Sequence, residues 1–332
     1  MTADPLIEMG NPFKQSQFSV SGFFDSKVTA GTALDYEYAL KFLYSYQGSS
    51  ATFNAYRREL ERFLQWSWHI EAKSVLKHKR EDIEEFVRFC LNPPLAWIGT
   101  INTPKFINSK GQRIANKKWR PFVVSVTKDQ HRQGITPQKN DYVMSQAALK
   151  ALFAILSSFY DYLCQEELME SNPVALIRQK SKFLVKEQNL PSVRRLSNLQ
   201  WEYLIETAEK LANNDGDTHE RTLFIMNCLY AMYLRISELV ADERSTPVMS
   251  DFKRDHDNNW WFHVTGKGNK SRKISVSNSM LAALKRYRRH QGVTPLPTPD
   301  DNTPLLPKQR GKGPVSSTRY LREIVQHCFD LA

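Results

Sequence analysis

The sequence predicts a mainly α-helical protein with one small β-sheet, divided into two domains. Apolar residues recur at helical spacing in several long segments. Alternation typical of strands occurs in one pair of segments, WWFHVT and RKISVS, which GKGNKS joins. A basic stretch after Asn172-Pro173 separates two helical regions, and 332 residues suffice for one large or two medium domains.

The charge balance favours a polyanionic partner. The 46 Lys and Arg residues exceed the 35 Asp and Glu residues, which gives a net charge of +11 and a pI near 9.4. Nucleic acid is the first candidate and an acidic membrane surface the second. The best candidate for a membrane span, residues 147–163, contains Lys150 and Asp161, so we expect no span.

The start of the chain and its cysteines favour the cytoplasm. The first residues, MTADPLIEMG, have no basic segment followed by an apolar run and no small-residue cleavage site. Cys90, Cys164, Cys228 and Cys328 lie far apart without a C-x-x-C pair. This spacing argues against a zinc site or a disulfide framework. We therefore expect reduced cysteines and no bound metal.

The first domain, residues 31–177, is expected to be a helical bundle behind a flexible tail of residues 1–30. The third of its four helices should cover about residues 80–91, before Pro93-Pro94, and the fourth about 144–164. The apolar faces of the first two helices consist of Leu34, Tyr38, Phe42 and Tyr46, and of Phe53, Tyr56, Leu60, Phe63 and Leu64.

The opposite face of the second helix presents Arg57, Arg58, Glu61, Arg62 and Gln65. A face of this composition is most often solvated. The alternative is a surface that faces phosphates, which makes Arg57 and Arg58 candidate DNA contacts.

A basic insertion, residues 92–141, lies between the third and fourth helices. From residue 104 to 139 it holds nine basic residues and one acid. DNA contact is favoured over a disordered loop, and Trp119 and Phe122 are candidates for stacking on bases or sugars. The candidate DNA contacts of the insertion are Lys110, Arg113, Lys117, Lys118 and Arg120.

A second basic stretch, residues 178–196, is expected to link the two domains. A linker of one charge sign can lie along a phosphate backbone, so that two domains hold a duplex from opposite sides. A solubilising tether explains its composition equally well. The candidate DNA contacts here are Lys182, Arg194 and Arg195.

The second domain, residues 197–332, contains two residues with unusual surroundings. A largely buried helix is predicted over about residues 218–239, and Arg235 lies in its apolar part, three residues before Glu238. A buried guanidinium must be paired or bind a ligand, and on the residues alone a pair with Glu238 is favoured. Lys267 lies between two glycines in the predicted hairpin turn, which is not a nucleotide P-loop.

Taken together, these segments resemble the tyrosine recombinases, the phage-integrase family. LYAMYLRISELVADE, followed about thirty residues later by VTGKGNKSRKISVS and then by a helix and a Pro-rich segment, resembles the catalytic domain of that family. AYRRELERFLQW and SNPVALI resemble its core-binding domain. The resemblance covers about residues 35–332. It implies a helical, SAM-like core-binding domain followed by an incomplete α+β catalytic domain.

The resemblance implies a role for each motif residue. Arg235 corresponds to the arginine that binds the scissile phosphate, Glu238 to its supporting acid, and Lys267 to the general acid for the leaving 5′ hydroxyl. Lys270 and Arg272 would contact DNA. A fixed arginine can stabilise charge that develops on phosphate oxygens. The family forms a 3′-phosphotyrosine intermediate without a cofactor, and its partners are duplex DNA and further copies of itself in a tetramer.

Two features depart from the family pattern. Tyr233 stands where the family commonly has glycine, two residues before the arginine. None of the eight histidines is followed by arginine three residues later, so we expect the His-x-x-Arg motif and the nucleophilic tyrosine beyond Ala332. Neither Tyr287 nor Tyr320 is expected to be the nucleophile.

Three hypotheses follow. The first is a site-specific recombinase of mobile DNA, present as a fragment that is inactive alone. The second is a naturally shortened protein that occupies recombination sites without cutting them. The third is a basic RNA-binding or structural protein in which the motif match is accidental.

Overall fold

The computed structural model describes residues 5, 32–45, 50–109, 111–179, 181–185, 195–243, 245–266 and 270–332. The predicted tail therefore lies almost wholly outside the described residues. The chain divides into unit 1, residues 1–188, and unit 2, residues 189–332. This division falls inside the predicted linker. The expected fold class, mainly helical with a small sheet, is confirmed.

Unit 1 is a helical bundle with a β-containing insertion. Its elements are α1 (Thr32–Ser45), α2 (Ser50–His69), α3 (Arg80–Leu91), β1 (Ile98–Gly99), β2 (Phe106–Ser109), β3 (Gln112–Ala115), β4 (Phe122–Val123), α4 (Lys128–Arg132), α5 (Gln146–Gln165) and α6 (Ala175–Gln179). The core centres on Phe63 of α2, whose ring lies 5.0 Å from Phe86 of α3 and 5.9 Å from Tyr160 of α5. The four long helices predicted from apolar spacing are thus confirmed.

The buried face of α1 differs from the predicted one. Phe42 is buried as expected, but Leu34 is exposed, and Asp35 and Leu43 are buried instead. Tyr46 lies outside the described residues. The Asp35 carboxylate accepts hydrogen bonds from the indole of Trp68 at 2.9 Å and from the hydroxyl of Ser74 at 2.7 Å. A polar residue therefore links α1 to the end of α2, which apolar spacing does not show.

The expectation that the polar face of α2 is solvated is wrong for Glu61 and Gln65, whereas Arg58 is exposed. Glu61 and Gln65 are fully buried because the insertion packs over this face. Glu61 forms an ion pair with Lys105 of the insertion. Arg62 donates to the carbonyl of Pro121 at 2.8 Å, and its guanidinium lies 4.7 Å from the centre of the Phe122 ring.

The insertion is ordered where it meets α2. Strands β1 and β4 pair in parallel, and β2 and β3 form an antiparallel hairpin. Trp119 and Phe122 are buried, so the prediction that they stack on bases or sugars is wrong. Their rings instead contact the cations that join the insertion to α2, because Lys105 lies 5.2 Å from the centre of the Trp119 ring.

Helix α5 is long and apolar enough, by length and composition alone, to cross a membrane. A core helix passes the same test. Nine of its residues, among them Leu152, Phe153, Leu156 and Phe159, are buried in unit 1, which is what a core helix of a bundle requires.

Unit 2 combines helices with a three-stranded antiparallel sheet. Its elements are α7 (Asn198–Asn214), α8 (Gly216–Ala231), β5 (Phe252–Arg254), β6 (Trp260–Thr265), β7 (Ser271–Ser275), α9 (Asn278–His290) and α10 (Thr318–Leu331), and the strand order is β5-β6-β7. The predicted hairpin is confirmed as β6 and β7. Its core includes Phe224 of α8, stacked 4.3 Å from Tyr287 of α9.

Candidate functional site

The segment that holds Arg235 is not helical, so the predicted helix through residue 239 is wrong. Helix α8 ends at Ala231, and Tyr233 adopts a left-handed conformation with φ of 50°. A left-handed residue just after the last turn is a common way to end a helix, and glycine is preferred there because other residues are strained. Leu234 is buried, and Arg235 caps a short 3₁₀ turn over residues 236–238.

The Glu238 carboxylate binds both the backbone and the side chain of Arg235. It accepts the backbone N–H of Arg235 at 2.9 Å and the Nη1 of the same residue at 3.0 Å. The carboxylate is buried, whereas 65% of the Arg235 side chain is exposed. The pair favoured from the sequence is therefore present, and most of the guanidinium still faces solvent, where it can bind an anion.

Arg272 of β7 binds the same carboxylate. Its Nη1 lies 2.9 Å from Oε1 of Glu238 and its Nη2 lies 2.8 Å from Oε2, a bidentate pair. Burial raises the pKa of Glu238, but the hydrogen bonds from Arg272 and Arg235 outweigh that effect and leave the pKa at about 2. Glu238 is therefore ionised at neutral pH. The same interaction raises the pKa of Arg272.

Gly266 and Lys270 form the neck of the β6–β7 hairpin, and Gly266 lies against the Glu238 cluster. A β-carbon at Gly266 would lie 2.9 Å from Oε1 of Glu238 and 3.0 Å from Nη1 of Arg272, so any side chain would displace the ion pair. The amide of Gly266 donates to the carbonyl of Lys270 at 2.9 Å and closes the neck. Lys267 lies outside the described residues.

Comparison with curated proteins identifies relatives over about half of the chain. The chain is 29% identical to the tyrosine recombinase XerC of Alcanivorax borkumensis over 180 residues, which cover 52% of this chain and 50% of that protein. It is 27% identical to the tyrosine recombinase XerD of Rhizobium meliloti over 134 residues, which cover 40% of this chain and 39% of that protein. Over these residues the chain is similar to tyrosine recombinases. No protein-family model matches it.

A solved recombinase structure shares the fold. The XerH site-specific recombinase, in a post-cleavage complex with palindromic difH substrate, matches with a TM-score of 0.50 and 13% identity. The match covers 89% of this chain and 67% of the XerH chain. The family fold expected from the sequence is thereby confirmed. The chain spans about half the length of the curated recombinases that it matches.

The candidate DNA contacts of unit 1 differ in accessibility. Lys117 and Lys118 are exposed, whereas Arg120 donates to the carbonyls of Lys117 and Trp119. Three other cations are engaged with unit 1 itself: Arg57 is mostly buried, Arg58 pairs with Glu59, and Lys182 pairs with Glu84. Lys110, Arg194 and the side chain of Arg113 lie outside what the structure describes.

In unit 2, Arg195 and Lys270 are exposed, whereas Arg272 forms an ion pair with Glu238. Three further basic residues, which the sequence motifs did not single out, lie on one face of the sheet. His263 of β6 lies opposite Lys273 of β7, and Lys253 lies opposite Trp261 on the same face. Burial and these two lysines lower the pKa of His263. The alternation of WWFHVT and RKISVS is the sequence signal for this arrangement, because it places His263 and Lys273 on the same face of the hairpin.

A cleft of about 360 Å³ adjoins the Glu238 cluster. Its lining includes Glu238, Arg272, Asp251, His263 and Lys273. Among the described residues, no group of three or more His, Cys, Asp and Glu side chains is arranged to hold a metal ion.

Replacing Tyr233 with glycine should stabilise unit 2. The left-handed conformation costs a non-glycine residue about 1–2 kcal/mol, which the greater freedom of glycine in the unfolded chain offsets in part. We expect Tyr233→Gly to raise the free energy of unfolding by about 0.5–1 kcal/mol in urea denaturation. Tyr233→Ala removes the same exposed ring but keeps the β-carbon, so it should bring no such gain. Equal gains in both variants would contradict the strain argument.

The Glu238 cluster should make stability depend on pH in the acid range. Because the pKa of Glu238 is about 2 in the folded protein and near 4.5 when the group is free, its contribution is complete above pH 4.5 and is lost as the pH falls towards 2. The difference in unfolding free energy between the unsubstituted protein and Glu238→Gln should therefore be largest at pH 7 and shrink below pH 4.5.

Glu323→Gln provides the control for this measurement. Glu323 is an exposed partner of Arg319 on α10, where an ion pair contributes little. Its substitution should change stability only slightly at any pH. A Glu238→Gln difference that stays constant from pH 7 to pH 3 would show that the carboxylate is not the charged centre of the cluster.

Proposed function

We propose that this protein is a site-specific DNA recombinase that binds duplex DNA and cuts and rejoins its strands through a 3′-phosphotyrosine intermediate. One observation carries the proposal: the buried, ionised Glu238 binds the exposed Arg235 and also lies against Gly266. Gly266 directly precedes Lys267 in the hairpin. The net charge of +11 supports DNA as the partner.

Arg235 is proposed to bind the scissile phosphate. Attack on a phosphodiester builds charge on the non-bridging oxygens, and a guanidinium held in place beforehand stabilises that charge without reorganisation. Glu238 is proposed as a positioning residue, since it binds both the amide and the side chain of Arg235. It also keeps Arg235 oriented when no substrate is bound.

Lys267 is proposed as the general acid that protonates the leaving 5′ oxygen. The close approach of Gly266 to Glu238 and Arg272 supports this role, because it brings the residue before Lys267 to the carboxylate that orients Arg235. A lysine donates a proton more readily when nearby cations lower its pKa. No cofactor is needed for these steps.

The relatives support the choice of substrate. XerC and XerD are tyrosine recombinases, and the XerH structure of the same fold is a post-cleavage complex with its difH substrate. By analogy we propose that the protein acts in the cytoplasm on duplex DNA, does not associate with membranes, and assembles as a homotetramer on its DNA.

A second candidate function is site occupation without cutting. It is favoured by the two tyrosines that follow the hairpin, since Tyr287 is buried against Phe224 and the Tyr320 hydroxyl donates to Gln309 at 2.8 Å. Burial keeps the Tyr287 hydroxyl from a phosphate, and the Tyr320 hydroxyl already has a hydrogen-bond partner. Incubation of the chain with a nicked duplex distinguishes the two functions, because only cleavage leaves a protein–DNA adduct that survives detergent.

Neutralising the exposed lysines of the insertion should flatten the salt dependence of DNA binding. Each phosphate contact contributes about 0.9 to the slope of log affinity against log salt concentration. We expect Lys117→Gln with Lys118→Gln to reduce that slope by nearly 2 in fluorescence anisotropy titrations. Lys41→Gln with Lys210→Gln removes the same charge from exposed helical ion pairs and should leave the slope unchanged. An unaltered slope in the first variant would mean that these lysines are only solvated.

Arg235→Ala should abolish the recognition of one phosphate. In a series of duplexes, each with a single methylphosphonate, the unsubstituted chain should bind about tenfold more weakly when the neutral group replaces the phosphate bound by Arg235. The variant should be insensitive at that position and retain its sensitivity elsewhere. Arg319→Ala, which removes an exposed arginine of α10, is the matched control. If Arg235→Ala keeps the full profile, Arg235 is a structural residue.

A further inference from the structure

The β2–β3 hairpin of the insertion presents an exposed apolar pair. Ile107 and Ile114 lie directly opposite each other across the two strands, and 39% and 44% of their surfaces are exposed. Among the described residues, no third strand joins this hairpin. Phe106 and Ala115, one position nearer the base, point to the other face and are half-buried. The isoleucine pair thus marks the outward face of a two-stranded ribbon.

The base of the hairpin is fixed to the bundle. Lys105, just before β2, forms the ion pair with the buried Glu61 of α2. Asn116, just after β3, donates its amide to the carbonyl of Lys105 at 2.8 Å and its side-chain amide to the carbonyl of Pro104 at 2.7 Å. An isolated two-stranded hairpin is only marginally stable in water, and this clamp supplies the support. The hairpin therefore projects from the bundle with its base held in a fixed position.

Charge favours DNA as the surface that the ribbon meets. Residues 86–128 contain no Asp or Glu, and exposed Lys117 and Lys118 follow the ribbon directly. Each strand has four residues, about 14 Å at 3.4 Å per residue, and the major groove of B-DNA, about 12 Å wide, admits a two-stranded ribbon. The apolar feature that the major groove offers is the C5 methyl group of thymine.

We infer that the β2–β3 hairpin enters the major groove of the target duplex and that Ile107 and Ile114 contact thymine methyl groups there. This inference rests on the proposed DNA-binding function and assigns one part of its sequence recognition to the insertion. Lys117 and Lys118 supply affinity through phosphates, whereas the isoleucine pair supplies preference between bases.

Replacing thymine with uracil tests the inference without changing the protein. A duplex that the full chain selects from a random library is prepared again with deoxyuridine at one thymidine position at a time. Loss of one buried methyl group costs about 0.8 kcal/mol, so the unsubstituted chain should bind about fourfold more weakly at each contacted position. A ribbon in the minor groove would not respond, because the methyl group lies in the major groove.

Serine substitutions test whether the hairpin causes this weaker binding to uracil. Ile107→Ser with Ile114→Ser should bind thymine and uracil duplexes equally, with an unchanged salt slope since no charge is altered. Ile101→Ser, at an isoleucine that is 72% exposed outside the hairpin, should keep the fourfold response. Equal binding of the two duplexes by the unsubstituted chain would overturn the inference, as would a response that persists in the double variant.

Two other results would also overturn it, and they are distinguishable. If the full chain selects no sequence and binds all duplexes alike, the proposed recombinase function fails together with the inference. If the isoleucine pair packs instead on a second copy of the chain, sedimentation will show a dimer that the serine substitutions dissociate, with no response to uracil. In that case DNA binding stands and the hairpin has a different partner.

Discussion

The buried carboxylate of Glu238 is the interaction on which the candidate site depends. It binds the amide and guanidinium of Arg235 and, through two parallel hydrogen bonds, the guanidinium of Arg272 on β7. A buried charge is tolerated only when it is paired and hydrogen-bonded. Here two cations and a backbone amide satisfy one anion, and the arrangement joins the end of α8 to the sheet. Among the described residues Glu238 is the acid paired with both arginines, so removing its carboxylate would take away this counter-ion from each.

Steric constraints around this carboxylate decide which residues can surround it. Glycine at position 266 leaves Glu238 and Arg272 in place, because a β-carbon there would push the ends of both side chains apart. Tyr233 must accept a left-handed backbone because α8 has to end before Arg235 can cap the following turn. The strain at Tyr233 therefore lies two residues from the proposed phosphate ligand, in a segment whose conformation the ion pair holds in place.

Buried ion pairs play a comparable part in unit 1. Glu59 and Glu61 of α2 bind Arg62 and Lys105, and the rings of Phe122 and Trp119 cover these cations. A strongly basic segment would otherwise repel itself and remain extended. Acids from one helix anchor the insertion at its base and leave Lys117 and Lys118 exposed. The same segment thus contains cations that hold it to the bundle and cations that are available to a polyanion.

Local sequence signals determined the long helices of unit 1, the β6–β7 hairpin and the resemblance of this protein to tyrosine recombinases. The bounds of α3 follow from apolar spacing and from Pro93-Pro94, and the β6–β7 hairpin follows from strict alternation, because each depends on residues within one turn or one strand pair. LRISEL and TGKGNK identified Arg235 and Glu238 as a related pair. Tertiary structure alone decided that Arg272 shares the carboxylate, that Glu61 and Trp119 are buried, and that α8 ends at Ala231. Each of these depends on packing between segments far apart in the chain, and a local pattern carries no information about which distant charge or ring will cover a given side chain.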